Sequence, residues 1–180
     1  RSDEFPTEEE QFEIYRDAAL LCGDKPLTIR TMDIGGDKKM PYFSIEPEDN
    51  PFLGVRGVRL CLANPGLFKI QLRAILRAGS FGNVRILVPM VTTSAEIDRV
   101  RGLIEECKSE LSAEGKEFDN AIPLGAMVET PASVFAGSTI AEKGEFFSIG
   151  TNDLTQYIMA ADRGNSGVSI LYNPKDIAVK

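Results

Sequence analysis

Histidine is absent from all 180 residues, so any chemistry assigned to this chain has to run without an imidazole of its own. Cysteine is scarce: Cys22, Cys61 and Cys107 stand too far apart for a metal-ligand cluster, and an odd number of them fits a reducing compartment better than a disulfide framework. Positive charge is in deficit, with 20 Lys and Arg against 27 Asp and Glu, a net charge of -7 and a pI near 4.8. The basic residues form no patch, which excludes a nucleic-acid partner, because a phosphate backbone demands a basic face. Small anions stay open wherever a few arginines converge. No run approaches the ~20 apolar residues of a membrane span, and no charged-then-apolar leader is read at the first residues. The expectation is a cytosolic protein that neither spans nor enters a membrane.

What is present is a chain with 43% hydrophobic residues, enough to bury a core, and a length that suits one domain. Its organisation is an alternation. Thr7 with Glu10 offers a capping box for a helix to Cys22, with Phe12, Tyr15 and Ala19 at helical spacing and Gly23 closing it. "LTIRTMDIG" reads as a strand, followed by a polar loop from Gly35 to Asn50 whose length favours a functional excursion. "NPGLFKIQLRAILRAGS" is a helix with Pro65 in its first turn and Gly79 past its end, and "VRILVPM" is a buried strand. Thr93 and Glu96 open a helix to about Leu111; "LGAMVET" is the third strand and "PASVFAGSTIAEKG" the next helix. "FFSIG" is the fourth strand, and "LTQYIMAA" the helix after it.

Short apolar strands without polar alternation, separated by helices, mean a parallel sheet covered on both faces. The class is α/β, either an open doubly wound sheet or a barrel, and both place ligands at the carboxyl ends of strands. Immediately after the four strands stand Asp33 with Asp37 and Lys38, then Met90, then Glu129, then Asn152 and Asp153. Glu129 and Asp153, on neighbouring strand ends, are expected to bring two carboxylates to one point. Such a pair suits Mg2+, which takes oxygen ligands and keeps several waters. Each acid alone is equally open to a reading as a helix N-cap. Arg30 within the first strand, Arg56 and Arg59 in "NPFLGVRGVRL" and Arg163 in "DRGN" are forks for carboxylate or phosphate, or else structural salt bridges. Converging on the acids, they would fit a small phosphorylated, carboxylated molecule.

"TMDIGGDK", "NPFLGVRGVRL", "MVETP" and "FFSIGTNDLTQY" with "DRGN" together resemble the phosphoenolpyruvate-binding domain of enzyme I, the phosphoenolpyruvate-protein phosphotransferase family of the bacterial sugar phosphotransferase system. The likeness runs through the whole chain in the family's order, and "DIGGDK" is closer to enzyme I than to pyruvate phosphate dikinase or phosphoenolpyruvate synthase. It implies a parallel β/α barrel of the TIM type that binds phosphoenolpyruvate and Mg2+. It also implies a phosphoryl acceptor histidine on another domain of the same enzyme, a phosphocarrier protein beyond that, a homodimer, and a bacterial cytoplasmic setting. By position, Glu129 and Asp153 match the metal ligands, and Arg30, Lys38, Arg56, Asn152, Asp153 and Arg163 match groups around the substrate.

The family's phosphohistidine and its cysteine acid have no counterpart in residues 1–180, and four strand-helix units are about half of a barrel of roughly 250 residues. The segment alone is therefore expected to be inactive. A non-catalytic regulatory or dimerisation module, or a dikinase- or synthase-type relative, is the competing expectation. "TIRTM" and "FFSIG" are expected to be the two edge strands of the incomplete barrel, open to pairing with a second copy.

Overall fold

The computed structural model of the chain describes residues 4–35 and 46–180. Helix α1 (Glu8–Cys22) starts as its sequence dictates: the Thr7 side chain accepts from the Glu10 amide, the Glu10 carboxylate accepts from Thr7, and Gly23 ends the helix at φ 56°. Strand β1 (Leu27–Arg30) follows, then a 3-10 turn at Pro51–Leu53 and a short helix α2 (Val58–Ala63). Helix α3 (Pro65–Ala78) leads to β2 (Val84–Val88), α4 (Ser94–Ala113) to β3 (Leu124–Val128), and α5 (Pro131–Phe135) with α6 (Gly137–Ala141) to β4 (Phe146–Ile149). Helix α7 (Thr151–Ile158) closes the alternation, and one 3-10 turn, Ser169–Leu171, lies beyond it.

All four strands pair in parallel in the order β1-β2-β3-β4 and curl into half of a barrel. The core lies between the sheet and helices α3 and α4. On α4 the buried positions are Ile97, Val100, Ile104, Cys107 and Leu111, alternating steps of three and four that keep one face on the sheet. On α3, Phe68, Leu72, Ile75 and Leu76 are fully covered, and they pack in the same cluster as Val84, Ile86 and Val88 of β2 and Leu124 and Ala126 of β3. Each such aliphatic side chain contributes about 1.5–3 kcal/mol by leaving water. The cysteines are free, and burial pushes the thiols of Cys61 and Cys107 up to about 12, which leaves both as protonated core residues.

Four local readings change. The segment from Pro131 is two short helices that break at Ala136. Val58–Ala63 forms a helix of its own, so Arg59 is helical. Helix α7 begins at Thr151, which places Asp153 in its first turn rather than on the strand. Strand β4 alternates between half-buried and exposed residues, with Phe147 43% and Ile149 69% exposed, because it is an outer strand whose second neighbour is not among the described residues. The expected order of edges, β1 and β4, is the observed one. Lys38 and most of the loop from Gly35 to Asn50 lie outside the described residues.

Candidate functional site

The pairing register, Arg30 beside Leu87, Val88 beside Ala126 and Val128 beside Ile149, brings the carboxyl ends of the four strands to one rim. Two bonds extend the ladder past the strands: the Thr31 amide donates to the Leu87 carbonyl at 2.9 Å and the Gly150 amide to the Val128 carbonyl at 3.0 Å. The residues after β1, β3 and β4 are thereby fixed by the sheet rather than by loop geometry, and what they surround is Arg56.

Arg56 stands between the Pro51–Leu53 turn and α2. One end of its fork, Nη1, donates to Asp153 Oδ1 at 3.1 Å and to the Tyr157 hydroxyl at 3.4 Å; the other, Nη2, donates to Asp33 Oδ1 and Oδ2 at 3.2 and 3.4 Å. The side chains of Arg56 and Asp33 are each 5% exposed and that of Asp153 10%. Burial works against a charged guanidinium, but Asp33 and Asp153 outweigh it and hold Arg56 above the ordinary arginine range. Its Nε is buried and has no hydrogen-bond partner among the described residues. An unpaired donor on a buried cation is costly in a finished protein interior and is an open position for an acceptor. The Phe52 ring lies 5.8 Å from the guanidinium, and the Tyr157 hydroxyl donates in turn to the Phe52 carbonyl, tying α7 to the turn before Arg56.

Glu129 follows β3 directly and is buried. Its Oε1 accepts from the Met90 amide at 2.6 Å. Met90, past the end of β2, holds a left-handed φ of 60°, and Gly57 opposite it holds φ 55°. A side chain at Gly57 would bring its Cβ within 2.8 Å of the Met90 Cβ, so the entrance of α2 can approach the end of β2 only with glycine there. A strained non-glycine residue that presents an amide to a buried carboxylate belongs with working sites more than with scaffolding. Burial pushes Glu129 up to about 7; the Met90 amide opposes this, Asp153 and Asp33 add to it, and Arg56 opposes it again. Gly150 covers the other side: a Cβ there would run into Glu129 Oε2, the Glu129 Cβ at 2.7 Å and the Met127 sulfur at 3.1 Å.

Among the described residues, the groups at this rim able to ligate a cation are carboxylate oxygens. Glu129 and Asp153 each use one carboxylate oxygen in the bonds above and keep the other uncommitted in those contacts. Among the described residues no group of three or more His, Cys, Asp or Glu is arranged to enclose a metal ion. Such a set fits a hard cation bound through one or two carboxylates with substrate oxygens and water completing its shell, and it does not fit zinc or a thiophilic metal. A cavity of about 200 Å3 lined by Phe52, Arg59, Met90, Thr92, Thr130 and Tyr157 adjoins these groups.

Of the residues singled out from sequence, Arg56, Glu129 and Asp153 come together. Arg30 is beside them, 3.7 Å from Asp33 Oδ2, but with its side chain 46% exposed it points out over the rim. Asn152 faces away: its Oδ1 and carbonyl both accept from the Tyr172 hydroxyl at 3.3 Å. Arg163 is exposed, its amide donating to Gln156 Oε1 at 3.2 Å, and its side chain makes no ion pair among the described residues. Arg59 is structural, donating to the carbonyls of Leu53 and Gly54 at 3.0 and 3.1 Å. Lys38 lies outside the described residues. Asp33 had been noted at a strand end without a task, although it anchors half of Arg56. Tyr157 was missed; its position four residues after Asp153 on one helix face was the available signal.

A parallel β/α half-barrel with a buried guanidinium between two carboxylates, and a third carboxyl held by a strained amide, defines a class: α/β proteins whose polar groups converge at the carboxyl ends of parallel strands. The chain belongs to the family of PEP-utilising enzymes through their PEP-binding domain, whose family model matches residues 1–180. It is 50% identical over 172 residues to phosphoenolpyruvate-protein phosphotransferase from Listeria monocytogenes, covering 96% of this chain and 30% of that protein. The protein of the same name from Latilactobacillus sakei is 47% identical over 178 residues, covering 99% of this chain and 31% of that protein. Multiphosphoryl transfer protein 1 of Escherichia coli strain K12 is 50% identical over 172 residues, covering 96% of this chain and 21% of that protein. The chain thus spans under a third of the length of each of these relatives.

Proposed function

We propose that residues 1–180 are part of a phosphoenolpyruvate-binding β/α barrel in a phosphoenolpyruvate-protein phosphotransferase that starts sugar uptake in a bacterial cytoplasm. In this reading the bond between phosphorus and the enol oxygen of phosphoenolpyruvate breaks and a bond from phosphorus to a histidine nitrogen on another domain forms. The enolate takes up a proton to leave pyruvate, and the phosphohistidine then passes its group to a phosphocarrier protein. The observation that carries the proposal is the buried Arg56–Asp153 pair beside Glu129, with an unpaired Arg56 Nε, in a chain half identical to proteins of that name.

Arg56, with Arg30, Lys38 and Arg163, offers guanidinium and ammonium groups to the phosphate and carboxylate oxygens, lowering the cost of the charge that spreads over the phosphoryl group during transfer. Glu129 and Asp153 are the residues that would hold Mg2+, and that ion would supply further neutralisation of the phosphoryl oxygens. Burial favours the protonated form of Glu129, and a cation bound there would favour the carboxylate. Substrate, histidine-bearing domain, phosphocarrier and a second copy of the chain are the partners in this reading.

The test is transfer of label from phosphoenolpyruvate to the phosphocarrier protein by the full-length polypeptide. Transfer that depends on Mg2+ and is lost in Asp153→Ala supports the proposal; undiminished transfer by Asp153→Ala overturns the site. Residues 1–180 alone should release no pyruvate above a protein-free control, because neither the acceptor histidine nor its domain is present in them.

A further inference from the structure

We infer that Asp33 is a positioning residue, the second anchor of Arg56 that keeps this guanidinium in place when a cation draws on Asp153. The inference rests on the reading of Glu129 and Asp153 as a cation site, and it concerns a residue to which that reading gives no part.

Arg56 has two ion-pair partners, Asp153 at 3.1 Å through Nη1 and Asp33 at 3.2 Å through Nη2. A cation on Asp153 is a competitor for the same carboxylate and a like charge beside the guanidinium. If Asp153 were the sole partner, binding the cation would strand a buried, unpaired arginine, which is among the costliest arrangements in a protein interior. Asp33 removes that cost. It takes the opposite edge of the fork with both carboxylate oxygens in reach, and it sits two residues past the last ladder bond, Thr31 to Leu87, so the sheet fixes it. Arg30, at 3.7 Å from Asp33 Oδ2 on the solvent side, adds a second positive group beside that carboxylate. The arrangement lets Arg56 exchange Asp153 for a substrate oxygen without moving, its Nε being an open donor in the same plane.

The experiment is a titration of Mn2+, read by paramagnetic resonance of the free ion, into the full-length polypeptide without phosphoenolpyruvate. Removing a direct partner of a ligand typically weakens metal binding about 10-fold or more; Asp33 acts one step further back, through Arg56, and a loss of several-fold up to about 10-fold is expected for Asp33→Asn. Asp33→Glu, which keeps the charge, should recover most of the affinity. In an Arg56→Met background the Asp33→Asn change should do nothing further, since the inferred action of Asp33 is through Arg56; this comparison also decides the matter if Asp33→Asn alone does not fold. Unchanged Mn2+ affinity in a folded Asp33→Asn, or a further loss in the double variant, overturns the inference. The two readings separate: Mn2+ binding that is absent, or that survives Glu129→Gln, brings down the cation site itself and the inference with it. Binding that needs Glu129 and ignores Asp33 brings down the inference alone.

Discussion

Arg56 and Asp153 are 97 positions apart in the sequence and 3.1 Å apart in the fold, both buried, Arg56 on the connection before α2 and Asp153 in the first turn of α7. The contact is made possible by parallel pairing, which delivers the ends of β1 to β4 to one rim. Losing Asp153 should therefore do two kinds of damage, removing an oxygen donor and leaving Arg56 leaning on Asp33 alone. In the full-length polypeptide Asp153→Ala is expected to lower phosphoryl transfer by about a hundredfold or more. Asp98→Ala, on the outer face of α4 and paired with Lys143 at 3.3 Å, should stay near wild type. Equal losses, measured in one assay, would remove the reason for choosing Asp153.

Gly150 supplies a second prediction. Its φ of -91° suits any residue, so glycine is needed here for space and not for conformation. Gly150→Ala would press a methyl group on Glu129 and Met127. The expected result is a destabilisation of about 1–3 kcal/mol by overpacking, together with weakened Mn2+ binding as Glu129 is displaced. Gly66→Ala, in α3 where an added Cβ meets nothing within 4 Å, should leave Mn2+ binding unchanged and should not lower stability, since alanine is the better helix former. Denaturant melts and Mn2+ titration on the same samples check both.

The alternation of elements was legible because it depends on local chemistry. Thr7 with Glu10, Pro65, and the three-four spacing from Ile97 to Leu111 each act within one or two turns. Glu129 and Asp153 were legible because strand ends in a parallel sheet are where such folds expose polar groups, and Arg56 because a guanidinium in a glycine-containing segment before a helix calls for an anion. The contact of Asp33 with Arg56 was not legible, since it spans 23 positions and exists only in the folded chain. Asn152, which the resemblance sets among the substrate groups, has its Oδ1 accepting from the Tyr172 hydroxyl, a contact across 20 positions that no local pattern announces. The exposed face of β4 was unreadable from an apolar run alone, because periodicity cannot tell a covered strand from one awaiting a neighbour.

Acid should loosen the outer helices before it reaches the core. Arg73 on α3 binds Glu8 of α1 at 2.6 Å, Glu110 of α4 at 3.2 Å and Glu114 at 2.7 Å. Arg73 and Lys116 hold Glu114 down to about 2; for Glu8, burial pushes the other way, but Arg73, Arg77 and Lys116 prevail and lower it below its ordinary 4.5. Carboxylates with folded values below their unfolded ones contribute stability above about 4.5, and that contribution drains away as pH falls toward 2. The melting temperature of the domain should decline across this window. In Arg73→Met the decline should be shallower and the starting value lower. A decline of the same size in the variant would show that these pairs are solvated and carry nothing.

The two edges of the sheet differ in a way that separates them experimentally. On β1 the exposed positions are Thr28 and Arg30, and a charge on an edge strand discourages pairing with another chain. On β4 they are Phe147 and Ile149, both apolar. Residues 1–180 expressed alone should therefore associate through β4 rather than through β1. Light scattering should report species larger than a monomer, and Ile149→Lys should return the segment to a monomer, while Thr28→Lys should leave the association as it was. A wild-type segment that stays monomeric at high concentration, with the β4 amides protected from hydrogen exchange, would show that this edge is already covered by something within the chain.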